Sequence, residues 1–195
     1  MSSKRTLIGL IGRKGSGKDT AAATLLQSGY ANVKFAGPLK AMLRALLAYQ
    51  GVDEATIERM IEGDLKERGT PYLAGHSPRY AMQTLGTEWG RNIIADDYWV
   101  SIAIQLASER PSVITDTRFP NEKDAIEAAG GSTIGIIADW IKPTPGEHPS
   151  EALIDAIIDK LPASRKLTNR RATGAALSEA IENFRRSFTA VVAAL

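Results

Sequence analysis

Two hydrophobic rhythms alternate along the chain. Thr6 to Ile11 is apolar with no polar alternation, the pattern of a strand buried on both faces of a parallel sheet. Asp19 to Gln27 is alanine-rich and helical, and Ser28-Gly29 ends it. Tyr30 to Ala36 reads as a second strand. Pro38 opens a helix that Gly51 stops, because proline fits a first turn where its missing N–H is not needed. Asp53 caps a further amphipathic helix, and residues 63 to 79 read as a loop. Ser77-Pro78 starts a long helix through Ile94, and a second follows Asp96-Asp97. Ser112 to Thr115 is a short buried strand ending at Asp116. A helix opens at Pro120 and stops at Gly130-Gly131, and Ser132 to Ala138 is another strand. A proline-rich loop over 139–150 leads to a short helix, a last strand over Arg165 to Thr168 and a terminal helix over Ala175 to Ala193.

Strands alternating with helices imply an α/β fold with a mainly parallel sheet and helices on both faces. Such sheets bind ligands beyond the carboxyl ends of their strands. Gly12 and Asp116 stand at two such ends. About 75 mostly helical residues separate the second and third strands, too many for one crossover, so an inserted helical subdomain is expected.

Composition narrows the picture. The 195 residues suit one domain, and a chain of this length buries roughly 70% of its unfolded surface. The net charge of +2 gives no reason to expect wholesale nucleic-acid binding. The chain has no cysteine and 2 histidines, which excludes disulfides and thiolate chemistry and argues against a histidine-rich metal site. No segment approaches the ~20 apolar residues of a membrane span. The apolar run at the start is too short for a signal peptide and leads straight into glycines. A cytoplasmic protein, monomeric or homodimeric, acting on small molecules rather than nucleic acid or membrane, is expected.

Four stretches carry candidate chemistry. GRKGSGKDT, Gly12 to Thr20, has the G-x-x-x-x-G-K spacing of a phosphate loop between a strand and a helix. Its glycines let backbone N–H groups turn toward phosphate oxygens, the helix adds its positive N-terminal end, and Lys18 reaches the β- and γ-phosphates. The hydroxyl that ordinarily follows the lysine is replaced by Asp19 and arrives at Thr20. Asp19 reads equally as a first-turn carboxylate stabilised by the helix dipole. In VITDTRFPNE, Asp116 ends an apolar strand as a Walker B acid does, and Arg118 follows on the same edge, where a guanidinium can grip a phosphate. SPRYAMQTLGTEWGRNI is dense in polar and aromatic groups. By spacing alone it reads as a solvated helix with Gln83 near Arg79 and Thr87, Glu88 near Arg91, and Trp89 buried. EHPSEA by itself reads as Ser150 capping a helix; His148 and Glu151 are candidates to close over a phosphate. A basic cluster, Arg165, Lys166, Arg170 and Arg171, stands near the last strand.

Together GRKGSGKDTAA, FAGPLKAML, SPRYAMQTLGTEWGR with DDYWV, ITDTRFPNEKDAI and HPSE resemble the deoxynucleoside monophosphate kinases of tailed bacteriophages, within the P-loop kinase superfamily. The motifs occur in the family's order and span most of residues 6 to 151, and the Gly-Lys-Asp-Thr ending is within its pattern. The resemblance implies a three-layer α/β/α P-loop kinase with a mainly parallel five-stranded sheet over 1–195, a helical acceptor-binding insertion over 38–110 and a lid over 139–160. It implies transfer of the ATP γ-phosphoryl to a deoxynucleoside monophosphate with Mg²⁺. Under it, Gly12, Arg13, Lys14, Gly15, Ser16, Gly17, Lys18, Asp19 and Thr20 hold ATP. Thr20 and Asp116 steer hydrated Mg²⁺, and Lys18, Asp116 and Arg118 are catalytic. Lys40, Arg79 and Arg118 take the acceptor phosphate, with Gln83, Glu88, Trp89, Arg91, His148 and Glu151 around the acceptor. Lys142 stands where family members often carry arginine. Related loops serve kinases of dephospho-coenzyme A and phosphomevalonate, so another small acceptor is the alternative.

Overall fold

The structure is a computed structural model and describes residues 6–142, 149–170, 172–173 and 176–195. Five parallel strands form one sheet in the order β2-β3-β1-β4-β5. They are β1 (Leu7–Ile11), β2 (Ala31–Val33), β3 (Ser112–Thr117), β4 (Ser132–Ala138) and β5 (Lys166–Asn169). The α/β architecture and the parallel sheet expected from the sequence are therefore present. The helices are α1 (Lys18–Gln27), α2 (Gly37–Tyr49), α3 (Glu54–Ile61), α4 (Pro78–Thr84), α5 (Tyr98–Ala107), α6 (Pro120–Ala128), α7 (Pro149–Lys160) and α8 (Ala176–Ala193).

The chain divides into two compact units, one of residues 1–34 and 104–195, the other of residues 35–103. In the first, strand alternation explains why β1 shows no polar positions. Ile8 and Leu10 point to one face, where they join Ala21, Ala22 and Leu25 of α1 and Phe184 and Phe188 of α8. Ile11 points to the other face and packs on Ile154, Ile157 and Ile158 of α7. Both faces are covered, so every position of β1 is buried. β2 is shorter than the Tyr30 to Ala36 run suggests. Among the described residues it is an edge strand paired with β3, from Ala31 opposite Ser112 to Val33 opposite Ile114.

The second unit has its own core of Leu39, Leu43 and Leu47 from α2, Ile57, Met60 and Ile61 from α3, Met82 from α4 and Trp99 from α5. Asp53 caps α3 as expected, accepting from the Thr56 N–H at 2.9 Å. The long helix expected through Ile94 is not uniform. After α4 the chain winds as a π-helix over Leu85–Ile94, and the Ala95 N–H bonds back five residues to the Gly90 carbonyl at 3.0 Å. The Trp99 indole lies against Gly90 and donates to the Gly86 carbonyl at 2.9 Å. Side-chain insertion of this kind is a recognised cause of departures from α winding.

Candidate functional site

Parallel strands end together, and their loops gather at one edge. The β1–β3 register sets Ile11 opposite Thr117, which puts Asp116 beside the end of β1. The β4–β5 register sets Ala138 opposite Asn169. The loop from Gly12 to Gly17 leaves β1 and passes over the end of β4. A Cβ on Gly12 would lie 2.5 Å from Ser16 Oγ and 2.6 Å from the Ile136 carbonyl oxygen, so only glycine fits there. Gly17 has φ 103°, in the left-handed region. The Ser16 N–H donates to the Arg13 carbonyl at 3.1 Å and closes the turn. The Ser16 hydroxyl is buried, with no hydrogen-bond partner among the described residues. A glycine-lined cradle with an orphaned hydroxyl at a helix N-terminus fits a polyphosphate.

Lys18 is the first residue of α1 and is half-buried. Its ammonium donates to the carbonyls of Gly12 at 2.5 Å and Arg13 at 2.8 Å. Lys14 and Gly15 are exposed, and so is Asp19 on the first turn of α1, with Thr20 half-buried beside it. The Arg13 side chain is engaged within the fold. Its guanidinium is buried and forks onto Asp155 of α7, Nε to Oδ1 at 3.0 Å and Nη2 to Oδ2 at 2.6 Å. That ion pair ties the loop to α7. A cavity of about 370 Å³ adjoins it, lined among others by Arg13, Asp139, Ile141, Lys142, Asp155 and Asp159.

Asp116 sits half-buried near the end of β3, and Arg118 is exposed just beyond it. A buried glutamate holds this turn. Glu122 Oε2 accepts from the backbone N–H of Arg118 at 2.7 Å and of Phe119 at 3.1 Å. Among the described residues no group of three or more acidic or histidine side chains is placed to hold a metal ion. Thr20 and Asp116 suit an ion that keeps water and phosphate oxygens as most of its ligands, as Mg²⁺ does.

The acceptor candidates Lys40, Arg79, Gln83, Glu88, Trp89 and Arg91 all belong to the second unit. Lys40 pairs with Glu62 at 2.7 Å, and Arg79 pairs with Glu67 rather than Gln83. Between these pairs stands Lys66, whose carbonyl accepts the Arg79 N–H at 2.9 Å. Burial, with the Lys40 and Arg79 cations nearby, pulls the Lys66 ammonium below its ordinary value. Gln83 and Glu88 are exposed, and Arg91 is half-buried. Trp89 braces the unit: its ring lies 5.7 Å from Tyr98 and 5.8 Å from Trp99 between centroids. π-Winding from Leu85 onward also alters the spacing assumed for Thr87, Glu88 and Arg91.

His148 lies outside the described residues, as does the side chain of Glu151 on α7. The expected lid over 139–160 falls partly outside the described residues. Residues 143–148 lie outside the described set, and from Ile154 onward α7 is core, with Ile154, Ile157 and Ile158 buried against Ile11. The basic cluster is partly structural: Arg165 pairs with Glu127 at 3.3 Å, and Lys166 donates to the Asp159 carbonyl at 2.9 Å. Arg171 is outside the described residues.

A protein of Acanthamoeba polyphaga mimivirus, assigned as a deoxynucleotide monophosphate kinase, is 32% identical over 168 residues, 77% of this chain and 83% of that protein. The chain belongs to the deoxynucleoside monophosphate kinase family. The deoxynucleoside-5′-monophosphate kinase of Escherichia phage T5 is 34% identical over 89 residues, 41% of this chain and 36% of its own length. No family model matches. Among solved structures, dephospho-CoA kinase from Campylobacter jejuni aligns over 95% of this chain and 94% of its own, at 12% identity and a TM-score of 0.46. A Thermus thermophilus structure aligns over 99% of both chains at 20% identity, also with a TM-score of 0.46.

For a kinase of this family, sequence reasoning missed three residues. Glu122 lies inside the VITDTRFPNE stretch, and its hold on the Arg118 and Phe119 N–H groups shows only once the turn is folded. Lys66 lay in a loop, and its neighbours come from 26 residues before and 13 after it. Asn169 was one polar residue at a strand end. Gly12→Ala is expected to abolish measurable ATP binding and to lower stability by about 1–3 kcal/mol, since the Ile136 carbonyl it would strike is backbone. Calorimetric titration and urea unfolding check both.

Proposed function

We propose that this kinase transfers the γ-phosphoryl group of ATP to a deoxynucleoside 5′-monophosphate, giving the diphosphate and ADP. Family membership carries the reading. Both relatives are named for deoxynucleotide acceptors, which sets it above a kinase of dephospho-coenzyme A or phosphomevalonate.

Phosphoryl transfer depends on in-line positioning and charge neutralisation, with little covalent work for the protein. The loop from Gly12 to Gly17 supplies backbone N–H groups to the donor's phosphates, and the Ser16 hydroxyl is a further donor. Lys18 leaves the Gly12 and Arg13 carbonyls for the β- and γ-oxygens, where its charge offsets what builds up on the transferred group. Asp116 and Thr20 would hold Mg²⁺, which would supply positive charge against the phosphates. Arg118, its backbone held by Glu122, meets a phosphate with a planar fork.

In the second unit, Lys40, Lys66 and Arg79 are the cations for the acceptor phosphate. Two carboxylates, Glu62 and Glu67, balance two of them. Lys66 makes no ion pair among the described residues and pays a desolvation cost that an acceptor dianion would offset. Gln83, Glu88 and Arg91 are the candidates for base and sugar, and Trp89 packs on Tyr98 and Trp99 beneath this segment.

A coupled ADP-release assay with dAMP, dCMP, dGMP, dTMP and the ribonucleotides is expected to show turnover with at least one deoxynucleotide. Turnover with none of them, alongside turnover of another acceptor, would overturn the reading. Lys18→Ala is expected to lower kcat by about 10²–10³. It should cost only about 1 kcal/mol of stability, because the bonds lost are to partly buried carbonyls. Lys66→Ala is expected to raise the acceptor KM about tenfold or more and leave the ATP KM within twofold. Steady-state kinetics with each substrate varied separates the two.

A further inference from the structure

The phosphate loop is touched from the far edge of the sheet. Asn169 is the last residue of β5, two strands away from β1. Its side-chain Nδ2 donates to the Ser16 carbonyl at 3.0 Å. The same nitrogen lies 2.5 Å from where a Cβ on Gly17 would stand, so the contact exists only because residue 17 is glycine. Asn169 is itself held: its backbone carbonyl accepts the Asp139 N–H at 3.3 Å, which fastens the end of β5 to the chain leaving β4.

A trans peptide points its C=O and N–H in opposite directions. Ser16 C=O and Gly17 N–H belong to one peptide plane. Drawing the carbonyl outward onto Asn169 therefore turns the Gly17 N–H inward, toward the cradle. Gly17, at φ 103°, has no side chain to resist a flip of this peptide. A flipped peptide would present a carbonyl oxygen to the phosphates, an electrostatic repulsion in place of an attraction.

From this geometry we infer that Asn169 is a positioning residue for the nucleotide: by holding the Ser16 carbonyl, it keeps the Gly17 N–H aimed at the polyphosphate. It acts through the loop and recognises the phosphate chain rather than the base. The inference rests on the kinase reading only as far as ATP being the loop's ligand.

The test is binding of Mg²⁺–ATP and of Mg²⁺–tripolyphosphate to the full chain, by calorimetry, with and without substitution at Asn169. Asn169→Ala is expected to weaken both ligands by about tenfold, the cost of one hydrogen bond to the loop. Asn169→Asp, near-isosteric but unable to donate, is expected to weaken them at least as much, and serves if the alanine variant does not fold. Thermal unfolding without ligand confirms that each variant is folded. The acceptor KM is expected to stay within twofold, and a rise in it alone would count against the inference. Binding of ATP within twofold of the unsubstituted chain would overturn it. So would weakened ATP with unchanged tripolyphosphate, which would make Asn169 a base contact. An unsubstituted chain that binds no ATP would instead overturn the kinase reading, and this inference with it.

Discussion

A backbone that binds phosphate must turn several N–H groups the same way, and no regular strand or helix interior does so. Between Ile11 and Lys18 this chain makes that turn with almost no side chains to spare. Gly12 passes within contact distance of the Ile136 carbonyl, and Gly17 takes a left-handed conformation. The Arg13–Asp155 fork, the Lys18 contacts to two loop carbonyls and the Asn169 amide then hold the loop from three sides.

The sheet exists to make that convergence possible. α1 and α8 cover one face and α7 packs on the other, so β1 is buried on both faces up to the residue where the loop begins. The neighbouring strands β3 and β4 end at the same edge, and they deliver Asp116 and the Ile136–Ala138 backbone there. β5 adds Asn169 from beyond β4. A parallel sheet is well suited to this, since all its carboxyl ends lie together.

The second unit solves a different problem. Three cations, Lys40, Lys66 and Arg79, stand near one another on a scaffold of short helices, and Glu62 and Glu67 pair with two of them. Its aromatic cluster of Trp89, Tyr98 and Trp99 and the π-wound stretch it packs on give the polar residues of LGTEWGR a firm base. Exposed polar residues on a well-supported segment are what substrate recognition requires.

The order of strands and helices, the glycine loop, Asp116, Arg118 and the family motifs were all legible along the chain, because each depends on periodicity or on residues a few positions apart. Hydrophobic rhythm reports burial, and a loop of fixed spacing reports its own conformation. Long-range pairing leaves no such trace. Nothing local told that Arg13 is spent on Asp155, 142 residues away, or that Asn169 reaches Ser16 across 153. Nor did composition tell that Lys66 would stand between Lys40 and Arg79, or that the helix after Thr84 would widen around the Trp99 indole. The sequence by itself determined most of the elements that form and marked the glycine loop as the candidate phosphate cradle. Only the tertiary structure decided which side chains are free for that work and which hold the loop in shape, because that depends on what each meets across the fold.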